Sequence, residues 1–324
     1  MHQMSRNELN QKPVIVKLEG GLGNQLFQFA AGYLLASKIN KPLHLDQYSI
    51  PLTTFYGERS AGFDQFEISP INGIHPHKTM QQFPNPVIVK LSKRFLLVKR
   101  VILKFRMLTS NKERVPLYAE KNENPGLSDF YQIREPVKLH GNFQSWKLVE
   151  HASLYGFPRV LKLKNTPSWI DELAKANKLG DGLVLHLRVD KIARSNVNFQ
   201  QPALEYYLSA INKARNIKSF ENLFVLSDDV SHARALYGEK LPSGSKFLEM
   251  PAKASPAERL YVMSLFGGII CANSTFCGWA AWSIHNSGGL VIVPLPYGDG
   301  SVPGSRDFPS RWIKLDKVLG ELLE

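Results

Sequence analysis

The 324-residue chain is poor in cysteine: Cys271 and Cys277 are its only two, and neither falls in a CxxC or Cys/His spacing. That spacing leaves a disulfide framework or a zinc site without support, and a reducing compartment is the expectation. Met1 to Lys12 are polar and contain no apolar h-region, so neither a signal peptide nor a signal anchor is expected, and the chain reads as cytosolic. Acidic residues are in deficit, 28 against 40 Lys and Arg, for a net charge of +12. Such a balance favours anionic partners: a nucleotide or pyrophosphate, a lipid head group, or nucleic acid. No recognition motif accompanies the basic residues, which argues against nucleic acid.

Charge is also missing from Leu260 to Gly298, where no Lys, Arg, Asp or Glu occurs. A membrane span is excluded, because Gly267-Gly268, Asn273-Ser274-Thr275 and Asn286-Ser287-Gly288-Gly289 cut the run into pieces too short to cross a bilayer. The pieces predict a helix, a buried strand, a helix and a second buried strand, as inside a parallel sheet covered on both faces.

What is present is strand–helix alternation. The pattern predicts strands at 13–18 and 43–46 around a helix at 24–39, then an irregular Pro-, Gly- and His-rich region from 48 to 86. A basic amphipathic helix at 90–106 follows, readable as a packed surface helix or as a membrane-surface element. A strand closes the first half near 136–144, with Ser145 as N-cap of a short helix. After a connector with a helix at 168–178, alternation resumes from 182 to 293. The fold class expected is α/β and GT-B-like: two Rossmann-like parallel-sheet domains facing a cleft. The first domain is expected over 13–160 and the second over 161–300, with a tail at 301–324 packing back on the first.

The most informative junction is Val14 to Ala30, where a strand empties through Gly20, Gly21 and Gly23 into a helix carrying Asn24 and Gln25. Glycines permit a sharp turn, and the first helical N–H groups attract a polar or anionic group. Asp46, ending the next strand, invites a dinucleotide-fold reading, but Leu26 stands where a third glycine belongs. A structural turn without ligand is the plainer alternative.

The stretch Gly20-Gly21-Leu22-Gly23-Asn24-Gln25-Leu26-Phe27-Gln28-Phe29-Ala30 resembles the opening signature of the α-1,2-fucosyltransferases of glycosyltransferase family 11. Gly141-Asn142-Phe143-Gln144-Ser145-Trp146, Ser227-Asp228-Asp229, Asn273 to Trp282 with the preceding Leu260-Tyr261-Val262-Met263-Ser264, and Phe308 to Leu315 are similar to later elements of that family, in order. The resemblance implies an inverting transfer of L-fucose from GDP-fucose to a galactose-type hydroxyl, forming an α-1,2 linkage, with no cofactor and no metal. It implies a bacterial enzyme of surface-polysaccharide synthesis, cytoplasmic and peripheral at the inner membrane face. The partners it implies are a nucleotide sugar, a saccharide acceptor and an anionic membrane.

The residue roles follow from the same resemblance. Arg188, Asn24 and Asp190 are the expected catalytic residues, with Arg188 neutralising the departing diphosphate. His186, Arg188, Asp228, Asn273, Ser274, Thr275, Phe276, Gly21 and Gly23 are expected on the donor, and Gln25, Gln144 and Trp146 on the acceptor. Two departures stand out: His186-Leu187-Arg188-Val189-Asp190 lacks the second arginine of the family's His-x-Arg-Arg-x-Asp, and Arg259 holds a place where an acid is usual. The alternatives they leave are another sugar nucleotide or a non-catalytic saccharide-binding protein.

Overall fold

A computed structural model describes residues 12–47, 62–68, 115–120, 128–189, 201–296 and 307–323, together with 50, 78, 79 and 101. The chain divides into two compact units, Met1–Phe63 with Ile68–Phe157, and Asp64–Glu67 with Pro158–Glu324. The excursion at 64–67 joins the second unit through an antiparallel bridge between Phe66 and Leu163.

In the first unit, strands β1 (Val14–Lys17), β2 (Leu43–Asp46), β3 (Lys78–Thr79), β4 (Leu117–Ala119) and β5 (Lys138–His140) form a parallel sheet in the order β3-β2-β1-β5-β4. Helix α1 (Leu22–Ile39) is apolar around most of its circumference and almost wholly buried, as a helix packed on a sheet and further helices should be. Its Gly32 allows close approach: a Cβ there would run into Val16 and Leu43, so these residues mark the sheet face that α1 covers. Asn40 ends α1 in the left-handed region at φ 52°, its N–H returning to Ala36 and Ser37. Helix α2 (Trp146–Leu154) starts where expected, with Ser145 Oγ accepting from the Leu148 N–H.

The second unit holds β6 (Gly182–Leu187), β7 (Asn222–Ser227), β8 (Lys246–Phe247), β9 (Gly268–Ile270), β10 (Leu290–Leu295), β11 (Ile313–Asp316) and β12 (Leu322–Leu323). They lie in the order β12-β11-β10-β9-β6-β7-β8, parallel except for β12. The helices are α3 (Ser168–Asn177), α4 (Leu204–Ile217), α5 (Val230–Tyr237), α6 (Pro256–Ser264) and α7 (Thr275–Asn286). Strand β6 is buried at every position, and Leu183, Leu185 and Leu187 pack with Tyr206, Tyr207 and Ile211 of α4. The charge-free stretch resolves into α6, β9, α7 and β10, the alternation expected of it.

Residues 307–323 belong to the second unit, where β11 extends the sheet beside β10. Ile313 and Leu315 alternate with polar neighbours, as a strand allows, and pairing along β10 gives that strand its place in the sheet. The basic helix expected at 90–106 falls almost entirely outside the described residues, as does most of the region 48–86.

Candidate active site

Both sheets are doubly wound. In the first, the chain moves outward through β1, β2 and β3, then crosses to β4 at the opposite edge and comes back to β5 beside β1. In the second it runs β6, β7, β8, then crosses to β9 on the other side of β6. Ligands of open α/β sheets bind outside the carboxyl ends of the strands at such reversals, here between β1 and β5 and between β6 and β9.

At the first reversal, Gly20 turns with φ +75°, a conformation that disfavours any side chain, and a Cβ there would also crowd Asn24 Nδ2 at 2.8 Å. Gly21 is the N-cap of α1 and is exposed, while Gly23 is buried in the first turn. Two glutamines clamp the turn: Gln28 Oε1 accepts from the Glu19 N–H at 2.9 Å, and Gln25 Nε2 donates to the Gly20 carbonyl at 2.8 Å. Gln25 was expected on the acceptor; it is fully buried, and its amide holds the backbone instead. Among the described residues Gln25 Oε1 and Gln28 Nε2 have no partner, so fixing this turn has a desolvation cost that the fold carries.

The second motif arrives from β5. Glu120, at the end of β4, accepts from the N–H groups of Asn142 and Phe143 at 2.7 and 2.9 Å. Phe143 sits at φ 52°, uncommon for a residue with a bulky side chain and associated with functional loops. A Cβ on Gly141 would collide with Glu120. The bend delivers Gln144, whose Nε2 donates to Asn24 Oδ1 at 3.2 Å, so these two predicted residues are brought together. Trp146, also expected on the acceptor, is 5% exposed and packs edge-on against Phe27 at 4.8 Å, within the core. Asp46 is taken up by Lys138, 3.1 Å away with both side chains buried, which removes the ribose-binding role of the dinucleotide reading.

Glu19, Lys17 and His140 were not singled out by sequence, yet they occupy the rim of this reversal. Lys17 Nζ lies 2.7 Å from Glu19 Oε2 and 3.0 Å from His140 Nε2, and Glu19 Oε1 is 3.6 Å from that nitrogen. Burial alone would raise the Glu19 carboxyl; His140 and the Lys17 ammonium outweigh it and hold the carboxyl down at about 2. Among the described residues no such cation acts on Glu120, and burial raises it despite its two backbone donors. Two charged side chains closing an otherwise apolar strand could have flagged Lys17 and Glu19. Nothing in the weakly patterned region around Glu120 could have flagged it.

At the second reversal, β6 delivers His186 and Arg188, β7 delivers Asp228, and the β9–α7 turn delivers Asn273, Ser274, Thr275 and Phe276; these predicted donor residues therefore share one strand-end region. Asp228 Oδ1 accepts from the Val189 N–H at 2.9 Å, pinning the backbone immediately after Arg188. Asp229 is the N-cap of α5, accepting from His232. Ser274 caps α7 through the Phe276 N–H, so its hydroxyl serves the helix end. His186 is 6% exposed, its ring lies 6.5 Å from that of Phe276, and its Nδ1 is buried with no partner among the described residues. Beneath it, Cys277 Sγ contacts the Ser274 and Ala272 carbonyls at 3.1 and 3.3 Å, and burial raises the Cys271 thiol. Asp190 lies outside the described residues.

The departure at Arg259 has a local explanation. Glu258 completes a capping box with Ser255 at the start of α6, and Arg259 donates to the Ala254 and Pro251 carbonyls at 3.1 and 3.0 Å. Among the described residues no group of three or more His, Cys, Asp or Glu could hold a metal ion, and no helix is long and apolar enough to cross a membrane.

Two doubly wound parallel sheets, each with a polar cluster at its reversal, define an α/β protein of the GT-B-like class. No family model matches the chain. It is 26% identical over 318 residues to an alpha-1,2-colitosyltransferase of Escherichia coli, covering 94% of this chain and 99% of that protein. It is 25% identical over 325 residues to the O-antigen biosynthesis glycosyltransferase WbnK of Escherichia coli, covering 92% and 99%. Among solved structures, fucosyltransferase NodZ from Bradyrhizobium matches with a TM-score of 0.51 at 17% identity, over 84% of this chain and 91% of that one. The sequence relatives support a glycosyltransferase, and the solved structure shares its fold.

Proposed function

We propose that the protein transfers L-fucose from GDP-fucose to a galactose-type hydroxyl of an O-antigen saccharide, making an α-1,2 linkage with inversion. The observation that carries this reading is the second reversal: His186 Nδ1, buried and without a hydrogen-bond partner among the described residues, at the strand end that also carries Arg188 and neighbours the turn into α7. A guanidinium and a helix N-terminus both favour a diphosphate, and both act more strongly as its charge grows on departure. The acceptor hydroxyl attacks the anomeric carbon from the face opposite the diphosphate, the C–O bond to GDP breaks, and the hydroxyl proton leaves to a base for which Asp190 is the candidate. The first unit takes the acceptor, with Asn24 and Gln144 oriented toward it by their shared hydrogen bond. No metal is required.

A second reading replaces fucose by colitose, the sugar in the name of the E. coli relative that is 26% identical. The missing second arginine of the His186–Asp190 motif favours a donor site that differs from the family's in detail. Incubation with GDP-fucose or GDP-colitose and a galactose-terminated acceptor tests both. GDP release with a product heavier by one deoxyhexose supports the first reading; a dideoxyhexose product alone supports the second. Saccharide binding without any product would make the chain a non-catalytic relative.

A further inference from the structure

The β1–β5 reversal holds a cluster that the donor chemistry does not use. Lys17 and Glu19 are two residues apart on extended chain and so project to one face, and the parallel register sets His140 beside Lys17. Helix α1 covers the other face, the one marked by Val16 and Leu43. One step inward on the same side, Lys138 and Asp46 form a buried ion pair. Apolar residues packed in place of a buried ion pair often stabilise a fold as well or better, so a charged row at a strand-end reversal is poorly explained by packing.

The cluster also has spare hydrogen-bonding capacity. Among the described residues, the Glu19 carboxylate has Lys17 at 2.7 Å on one oxygen and His140 at only 3.6 Å on the other. An ionised carboxylate can accept about four hydrogen bonds and an ammonium can donate three, so both groups retain directions to fill. Their backbone is held rigid by Gln25 and Gln28. The side chains are partly exposed, 23% for Glu19, 30% for His140 and 11% for Lys17.

We propose that Lys17, Glu19 and His140 form a subsite for adjacent hydroxyl groups of the saccharide acceptor, Glu19 Oε1 accepting from one hydroxyl while Lys17 and His140 engage its neighbour. A fixed carboxylate beside a fixed cation matches a vicinal diol, each hydroxyl of which both donates and accepts. The subsite rests on the glycosyltransferase reading, because only that reading makes a saccharide the ligand of this unit. It selects acceptors: one lacking the matching hydroxyl leaves a partly buried carboxylate short of a partner and is rejected.

The test is steady-state kinetics of the full chain with methyl β-galactoside and its monodeoxy analogues, alongside transfer of the donor sugar to water without acceptor. Glu19→Gln is expected to raise the acceptor KM about tenfold or more and to erase discrimination against one deoxy analogue. Donor KM and donor hydrolysis should stay within about twofold of wild type, a split that general destabilisation does not produce. Unchanged acceptor KM and unchanged deoxy discrimination in folded Glu19→Gln overturns the subsite. His140→Gln leaves the Lys17–Glu19 pair in place and decides between the same two outcomes should the first variant not fold. If wild type transfers no sugar, the functional reading fails instead. Titration of methyl β-galactoside followed by saturation-transfer NMR then judges the subsite alone: binding that Glu19→Gln abolishes keeps it, and no binding removes it.

Discussion

Gln144 Nε2 donates to Asn24 Oδ1 at 3.2 Å, joining two motifs 120 residues apart in sequence. The strained Phe143 and the Glu120 anchor aim Gln144, and the Gly20 turn aims Asn24. If the pair acts as one unit, Asn24→Ala and Gln144→Ala should each lower kcat/KM for the acceptor, and the double variant should lose little more than the worse single. Additive losses in a double-mutant cycle would show the two acting independently.

Arg188 is expected to act on the leaving diphosphate. Arg188→Ala should lower kcat about 100-fold at saturating substrates, and Arg188→Lys should recover only part of it, because an ammonium lacks the paired donors of guanidinium. Turnover near wild type in Arg188→Ala removes this residue from the mechanism.

Asp228 is exposed and reaches the site through backbone, accepting from the Val189 N–H. Asp228→Asn retains an acceptor oxygen and should keep most activity, whereas Asp228→Ala should lower kcat while leaving Tm within a few degrees of wild type. Equal losses in the two variants would instead mean that the carboxylate charge contacts the donor.

Glu19 makes stability depend on pH. Its carboxyl lies at about 2 in the folded chain against an ordinary 4.5, so it stabilises the fold fully above pH 4.5 and loses that contribution as pH falls toward 2. The contribution is at most about 3 kcal/mol. Urea unfolding between pH 2 and 6 should therefore show the gap between wild type and Glu19→Gln closing as acid is added; a constant gap contradicts the ion pair.

A side chain at position 141 has nowhere to go but into Glu120. Gly141→Ala should destabilise the first unit by about 1–3 kcal/mol, measured by denaturant unfolding, and should lower acceptor kcat/KM by displacing Gln144. Full stability in that variant would show that the 141–145 bend can move.

Much of the second unit was legible because its signals are local. A charge-free run cut by Gly-Gly and Asn-Ser-Thr could hardly be anything except buried strands between helices, and Ser255 with Glu258 announces α6 as Ser145 announces α2. The site was legible only where a motif is contiguous. Gln25 and Trp146 share motifs with site residues and so looked functional, but helical geometry turns both into the core. Glu120 and His140 stayed hidden because their meaning depends on strand neighbours far away in the chain.

By itself, the order of apolar and polar residues determined two strand–helix units, the glycine turn that Gly20 makes, and the caps that begin α2, α6 and α7, since each depends on interactions within a few residues. The tertiary structure alone decided where each sheet reverses and that β11 extends the second sheet. It alone decided that Lys17, Glu19 and His140 meet at one rim, because register between parallel strands is set by packing across the sheet and not by any neighbour along the chain.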